Sequence, residues 1–334
     1  MNQNLEARRS FIRNSSVSIA TLLSAGFSNT LFAQVPVEQL RILVGYPPGS
    51  FPDTMSRMIA EQLAGSYPQR AMVENRPGAA GLIAVNALKA GQADGSTVLF
   101  AQGTLASAYP YLYNKLAYDP AIDLKPVSLA AETKLGLAVG PAVPASVGNV
   151  RQLLDWMRAN PKLANVASPG VGTPPHLLEA MLFRKAGVDW QHIGYPGGPP
   201  AMAALLGGQV SALILPEGLL RSHQTAGRLR VLATSGAQRS SFLPEIPTFV
   251  EQGHPELVAV DWFAFFMSGN VSPTVIDATS QKLKIALARP ELVAAFAETG
   301  AVAASSTPAA LATRIAVDQR YWAPVIRENN IRVE

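Results

Sequence analysis

Leu40-Arg41-Ile42-Leu43-Val44-Gly45-Tyr46-Pro47-Pro48-Gly49-Ser50-Phe51-Pro52-Asp53 reads as a buried strand, a glycine- and proline-rich loop and the entry to a helix. The apolar run ends at Gly45, and a helical pattern starts at Thr54, with Met55, Met58, Ile59 and Leu63 on one face. The same design returns downstream. Val166-Ala167 runs into Ser168-Pro169-Gly170-Val171-Gly172-Thr173-Pro174-Pro175, and a helix is expected from His176. A strand that feeds a helix through such a loop aims backbone N–H groups at one point, a natural seat for a carboxylate. Two such loops predict two lobes that close on one ligand.

Working outward, β-like runs alternate with helical segments along most of the chain. Strands are expected at 41–44, 72–74, 98–100, 127–130, 135–139, 165–167, 212–215, 231–234 and 260–267. Helices are expected at 54–66, 150–160, 176–186, 199–206, 274–288 and 309–329. Asn149 with Gln152 reads as a capping pair for the second of these helices. Regular alternation predicts an α/β fold of mostly parallel sheets flanked by helices. The runs 127–139 and 258–267 are long for one strand and read as crossovers between lobes. Lobe 1 is then 34–132 plus 257–334 and lobe 2 is 133–256, with the ligand cleft between them.

The first 33 residues read as an export signal. Arg8-Arg9-Ser10-Phe11-Ile12-Arg13 precedes a mildly apolar stretch, and Leu31-Phe32-Ala33 offers a cleavage site. The paired arginines resemble a twin-arginine signal. A membrane anchor is the alternative, but the apolar stretch is short against the ~30 Å of a bilayer core. Cleavage would remove three arginines and one glutamate, so the net charge would fall from +4 to +2. The chain has no cysteine, which excludes disulfides, thiolate metal sites, cysteine nucleophiles and a lipid-anchored cysteine. A soluble periplasmic product is expected. There is no basic run interleaved with aromatic residues, so no nucleic-acid partner is expected.

Several strings, in order, resemble the Bug-type solute-binding proteins of tripartite tricarboxylate transport systems. They are Pro47-Pro48-Gly49 with Asp53, Glu74-Asn75-Arg76-Pro77-Gly78-Ala79-Ala80-Gly81, Ala93-Asp94-Gly95, Tyr118-Asp119-Pro120, Ser168 to Leu177, Leu205 to Val210, Gly227 to Ala233, and Leu243-Pro244-Glu245-Ile246-Pro247-Thr248. The resemblance spans 39–334. It implies a two-lobe type II binding-protein fold, a small organic carboxylate as ligand, and a membrane permease as partner. No cofactor, no metal and no catalysis are expected. Tyr46, Gly49, Ser50, Phe51 and Asp53 would form one wall of the cleft, with Gln102 and Thr104 beside them. Ser168, Gly170, Gly172 and Thr173 would face them from the other lobe, and Tyr195 would line the pocket.

Alternative roles stand beside these. Asp53 is also placed to cap its helix. Phe51 could equally be a core plug, His176 a structural residue, Arg76 the partner of a structural carboxylate, and Glu217 a solvated loop residue. The four tryptophans read as packing. The chain departs from the family pattern at Ser50-Phe51-Pro52, Tyr195-Pro196-Gly197, Ser211 and Leu215. These changes make the pocket less polar and predict a mono- or dicarboxylate with an apolar or aromatic body. A sensory receptor using the same cleft is the competing function. A hydrolase is the remote one, because there is no G-x-S-x-G elbow, no Walker loop and no short histidine spacing.

Overall fold

The computed structural model describes residues 38–64 and 70–333. The expected export signal and the end of the first helix, at Ser66, lie outside the described residues. The strands are β1 (Gln39–Val44), β2 (Arg70–Asn75), β3 (Thr97–Gln102), β4 (Leu124–Val139), β5 (Asn165–Ser168), β6 (Gln191–Gly194), β7 (Ala212–Pro216), β8 (Arg230–Thr234), β9 (Val260–Ser268) and β10 (Val302–Ala303). The main helices are α1 (Phe51–Leu63), α2 (Leu82–Lys89), α3 (Val150–Ala159), α4 (Pro174–Lys185), α5 (Gly198–Leu206), α6 (Glu217–Thr225), α7 (Pro273–Leu287), α8 (Pro290–Glu298) and α9 (Pro308–Glu328).

The strands follow one another in the order β2-β1-β3-β9-β4-β7-β5-β6, with β8 and β10 also paired to β4. β4 organises this path. Up to Lys134 it runs antiparallel to β9; from Leu135 it pairs with β7 and β8. The two strands expected at 127–130 and 135–139 are therefore one 16-residue strand that changes partners midway. Parallel pairing holds on the outer strands, β1 with β2 and β3, and β5 with β6 and β7. The long crossover strands add antiparallel pairing at the centre, because β9 runs back alongside β3 and β4.

Helices cover the sheet as the alternation requires. Phe100 stacks on Phe263 and tilts against Phe265, fastening β3 to β9. Asn149 caps α3 by accepting the Gln152 N–H at 2.9 Å, as its spacing predicts. β6, α6, α8 and β10 carry no periodic signal strong enough to read, and of α2 the sequence marks only a start near Gly81. β6 has an exposed and half-buried pattern, and β10 is two residues long.

Candidate functional site

The site is built where β1, β3 and β5 end. α1 starts at Phe51, three residues earlier than its apolar periodicity indicates, with Pro52 in its first turn and Ser50 as N-cap residue. Proline suits a first turn, since the N–H it lacks would have no partner in the helix. Asp53 does not cap from the N-cap position. It lies one turn in and reaches back to accept the Gly49 N–H at 2.8 Å. Arg57 and Asn75 also bond to it. Burial raises its pKa, but Arg57, Asn75 and the Gly49 N–H together hold the carboxyl below its ordinary value. Gly49 has φ +77°, so the turn needs glycine.

Ser50 is 2% exposed and its Oγ has no hydrogen-bond partner. Next to it, the Tyr46 hydroxyl donates to Gln102 Oε1 at 2.5 Å, and Gln102 Nε2 donates to Asp261 Oδ2 at 2.8 Å. Burial, with Asp261 nearby, pushes the Tyr46 hydroxyl well above its ordinary pKa. Thr104 Oγ1 is buried and faces the Tyr109 hydroxyl without a hydrogen bond of good geometry. Phe51 tilts against Phe263 at 5.8 Å between ring centroids.

The second loop keeps its polar groups to itself. Ser168 Oγ meets the Gly170 carbonyl and His192 Nε2, and the Gly170 N–H returns to Ser168 Oγ. Thr173 Oγ1 donates to the Gly170 carbonyl at 2.7 Å, and the Gly172 N–H donates to His176 Nδ1 at 3.0 Å. Pro174 and Pro175 open α4 without N–H groups. The expectation that Ser168, Gly172 and Thr173 offer donors to the cleft is therefore corrected, because internal bonds hold them. What this loop presents is its turn, Pro169-Gly170-Val171.

The two loops share a crevice. A cavity of about 440 Å³ is lined by Tyr46 and Pro47 on one side and by Pro169, Gly170 and Tyr195 on the other. A narrower space of about 20 Å³ lies among Tyr46, Ser50, Phe51, Gln102, Pro169 and Gly197. Among the described residues, no charged side chain lines either space. A Cβ on Gly197 would stand 3.8 Å from Ser50 Cβ, so the two walls nearly touch there. A Cβ on Gly172 would meet Leu112, Tyr109 and Val333 at 3.5–3.7 Å, an apolar wall.

The sequence reading missed one wall of the crevice and one buried carboxyl, Asp261, which accepts from the crevice residue Gln102. Gly78 to Gly81 all have positive φ, including Ala79 (45°) and Ala80 (50°), and all but Gly81 line the larger cavity. The Gly78-Ala79-Ala80-Gly81 string was the available signal. Asp261 gave none, since it sits inside an apolar strand. Arg76 pairs with Glu74, as the structural alternative expected. Glu217 is not a solvated loop residue; it is 1% exposed in the first turn of α6 and accepts the Ser240 hydroxyl at 2.6 Å.

Beneath the second loop, the His176 and His192 rings stack at 3.9 Å. Burial depresses both, to about 3 and about 4. Glu179 is fully buried and accepts the Trp190 indole N–H, and burial pushes its carboxyl well up. Ser168, His192 and Glu179 do not form a hydrolytic relay. The ring nitrogen that meets Ser168 is also the one 4.0 Å from Glu179, whereas a relay needs the carboxylate on the opposite nitrogen. Among the described residues, no group of three His, Asp or Glu side chains is placed to hold a metal. No helix among them is long and apolar enough to cross a membrane.

The family model described as "Tripartite tricarboxylate transporter family receptor" matches residues 55–331. Protein BugT of Bordetella pertussis is 31% identical over 315 residues, covering 94% of this chain and 96% of its own. A solved periplasmic transporter superposes with a TM-score of 0.82 at 26% identity, covering 90% of this chain and all of its own. R. palustris Rpa4515 with adipate superposes at 0.83 with 24% identity, covering 89% of this chain and 99% of its own.

Proposed function

The chain belongs to the tripartite tricarboxylate transporter receptor family, and from that premise we propose that it captures a small organic carboxylate between two lobes and presents the closed form to a membrane permease. The lobes are 34–132 with 257–334, and 133–256. The partner change in β4 at Lys134/Leu135 supports this division. Export to the periplasm by the first 33 residues belongs to the same reading.

One observation carries the proposal: a buried hydroxyl without a partner, Ser50 Oγ, belongs to a residue that lines the narrow space between the two loops. A buried polar atom left unpaired costs ~1–3 kcal/mol, which a ligand oxygen would recover. Among the described residues the crevice has no basic side chain, so the carboxylate is held by hydroxyl and amide donors. Each charge-assisted bond of this kind contributes ~1.5–3 kcal/mol. Beyond Phe51 the narrow space continues into a groove of about 350 Å³ lined by Met202, Leu206, Leu215 and Leu219. That groove suits the apolar body of the ligand.

A thermal-shift screen of straight-chain and aromatic mono- and dicarboxylates tests this, with matched amines as controls. Acids with an apolar body should raise the melting temperature in proportion to saturation. Tight citrate binding without any effect of the apolar acids would sink the ligand assignment.

A further inference from the structure

The groove that continues from the narrow space has a single polar side chain among the described residues that line it, His223. Two helix faces make its walls. α5 presents Pro199, Met202 and Leu206, and α6 presents Leu219 and His223. Spacings of three and four residues put each set on one side of its helix. Both helices begin at the narrow space, which Gly198 and Pro216 line, and run away from it. Phe51, Gly198, Leu215 and Leu219 line both volumes, so the two are continuous. At 1.5 Å per residue, His223 stands ~6 Å beyond Leu219 along α6, and Leu206 stands ~12 Å beyond Gly198 along α5. His223 therefore marks the far end of the groove, about one helical turn past the space that Ser50 lines.

His223 is half-buried, and its Nδ1 is enclosed without a hydrogen-bond partner. Burial, with Arg228 nearby, holds the ring below its ordinary pKa, so it is neutral and carries one N–H. On Nδ1 that proton would be a buried donor without an acceptor, the costlier kind of orphan. It therefore sits on Nε2, which is not enclosed in this way. The Arg228 backbone N–H donates to the His223 carbonyl at 2.9 Å, which anchors the guanidinium close enough for its charge to reach the ring. No acidic side chain among the described residues lines the groove to offset it. The far end of the groove thus pairs an N–H donor with a positive field, and the walls leading to it are apolar. A few placed polar groups in an apolar pocket set the orientation of its ligand.

We propose that His223 recognises the far end of the ligand: one carboxylate docks at Ser50, an unbranched apolar chain lies between α5 and α6, and a second carboxylate accepts the His223 Nε2–H beside Arg228. The ligand class is an α,ω-dicarboxylate with a longer body than adipate. This rests on the carboxylate-receptor reading and extends it to a second subsite outside the crevice. An extended chain advances ~1.2 Å per bond, so suberate separates its carboxyl carbons by ~8 Å and adipate by ~6 Å. Adipate covers only the stretch from Leu219 to His223, whereas suberate also reaches back into the narrow space.

The test is calorimetry on the mature protein at about pH 8, where both carboxyl groups are ionised. Octanoate, adipate and suberate are the probes. Wild type should bind suberate at least about tenfold more tightly than octanoate or adipate, the effect of one charge-assisted bond. His223→Phe keeps a ring in place but has no donor. It should bind octanoate at least as tightly as wild type does, and its preference for suberate over octanoate should vanish. A suberate preference that survives in folded His223→Phe overturns the proposal. ¹⁵N NMR of the imidazole reads the contact in wild type without any variant: suberate should shift the His223 Nε2 resonance and octanoate should leave it in place, and an equal response to both overturns the proposal. If octanoate binds and suberate gains nothing over it, the carboxylate reading stands and the assignment of His223 falls. If none of the three acids binds, the carboxylate reading fails and this subsite with it.

Discussion

At the residue scale, Ser50 and Asp53 show how neighbouring polar side chains divide their work. Asp53 is saturated by Gly49, Arg57 and Asn75, so it braces the loop, while the Ser50 hydroxyl is left over. Ser50→Ala should weaken carboxylate binding by about 10- to 100-fold, the range for one charge-assisted bond. It should leave the melting temperature of the free protein unchanged or slightly higher, because an unpaired buried oxygen is removed. Titration calorimetry beside a thermal melt checks both parts. Asp53 has a depressed pKa, so its stabilisation is present above its unfolded value of 3.8 and is lost as pH falls through the folded value. Asp53→Asn should therefore destabilise at pH 7 and cost progressively less on acidification, as read from urea unfolding at several pH values.

At the element scale, α4 carries a titrating cluster that supports the second loop. His176 and His192 are held neutral, far below 6.5, while Glu179 is held protonated above 4.5. For the histidines, stability is present above 6.5 and is lost as pH falls towards about 4 and about 3. For Glu179 the sign is opposite: its contribution is present below 4.5 and is lost as pH rises. Between 6.5 and 4.5, acidification therefore costs two protons' worth and recovers one. Below 4.5 the recovery stops and the loss steepens, at about 1.4 kcal/mol per pH unit for each net proton. Urea midpoints measured from pH 7 to 4 should show this break. His192→Phe should flatten the slope by about one proton. A protonated His176 Nδ1 would also lose the Gly172 N–H it now accepts, so the loop and the helix should fail together.

At the scale of the whole molecule, α6 approaches the turn after α8 at Gly218. A Cβ there would lie 1.7 Å from the Thr299 carbonyl oxygen, and one on Gly300 would lie 2.4 Å from Gly218 Cα. Thr133, beside the partner change in β4, donates to the Gly300 carbonyl. Gly218→Ala should hold the two lobes apart at this contact. Small-angle scattering should then show a larger radius that ligand no longer reduces, with the circular dichroism of the wild type retained. Much of the architecture was legible in the chain itself. Alternating apolar runs, the two glycine–proline loops and the length of the crossover runs depend on local periodicity and turn chemistry, which a linear sequence carries. β6 and β10 were not, because short, half-exposed strands exist through their partners and not through their own pattern. The sequence by itself determined the two glycine–proline loops and the expectation that they close on one ligand. Only the tertiary structure decided which polar atoms there are spent and which are spare. The amides of Gly49 and Gly172 and the hydroxyls of Ser168 and Thr173 are satisfied within their own loops. The raised pKa of Asp261 comes from burial, which outweighs the bond from Gln102, 159 residues away. Hydrogen-bond capacity belongs to the residue, but its use is set by neighbours that only folding brings within reach.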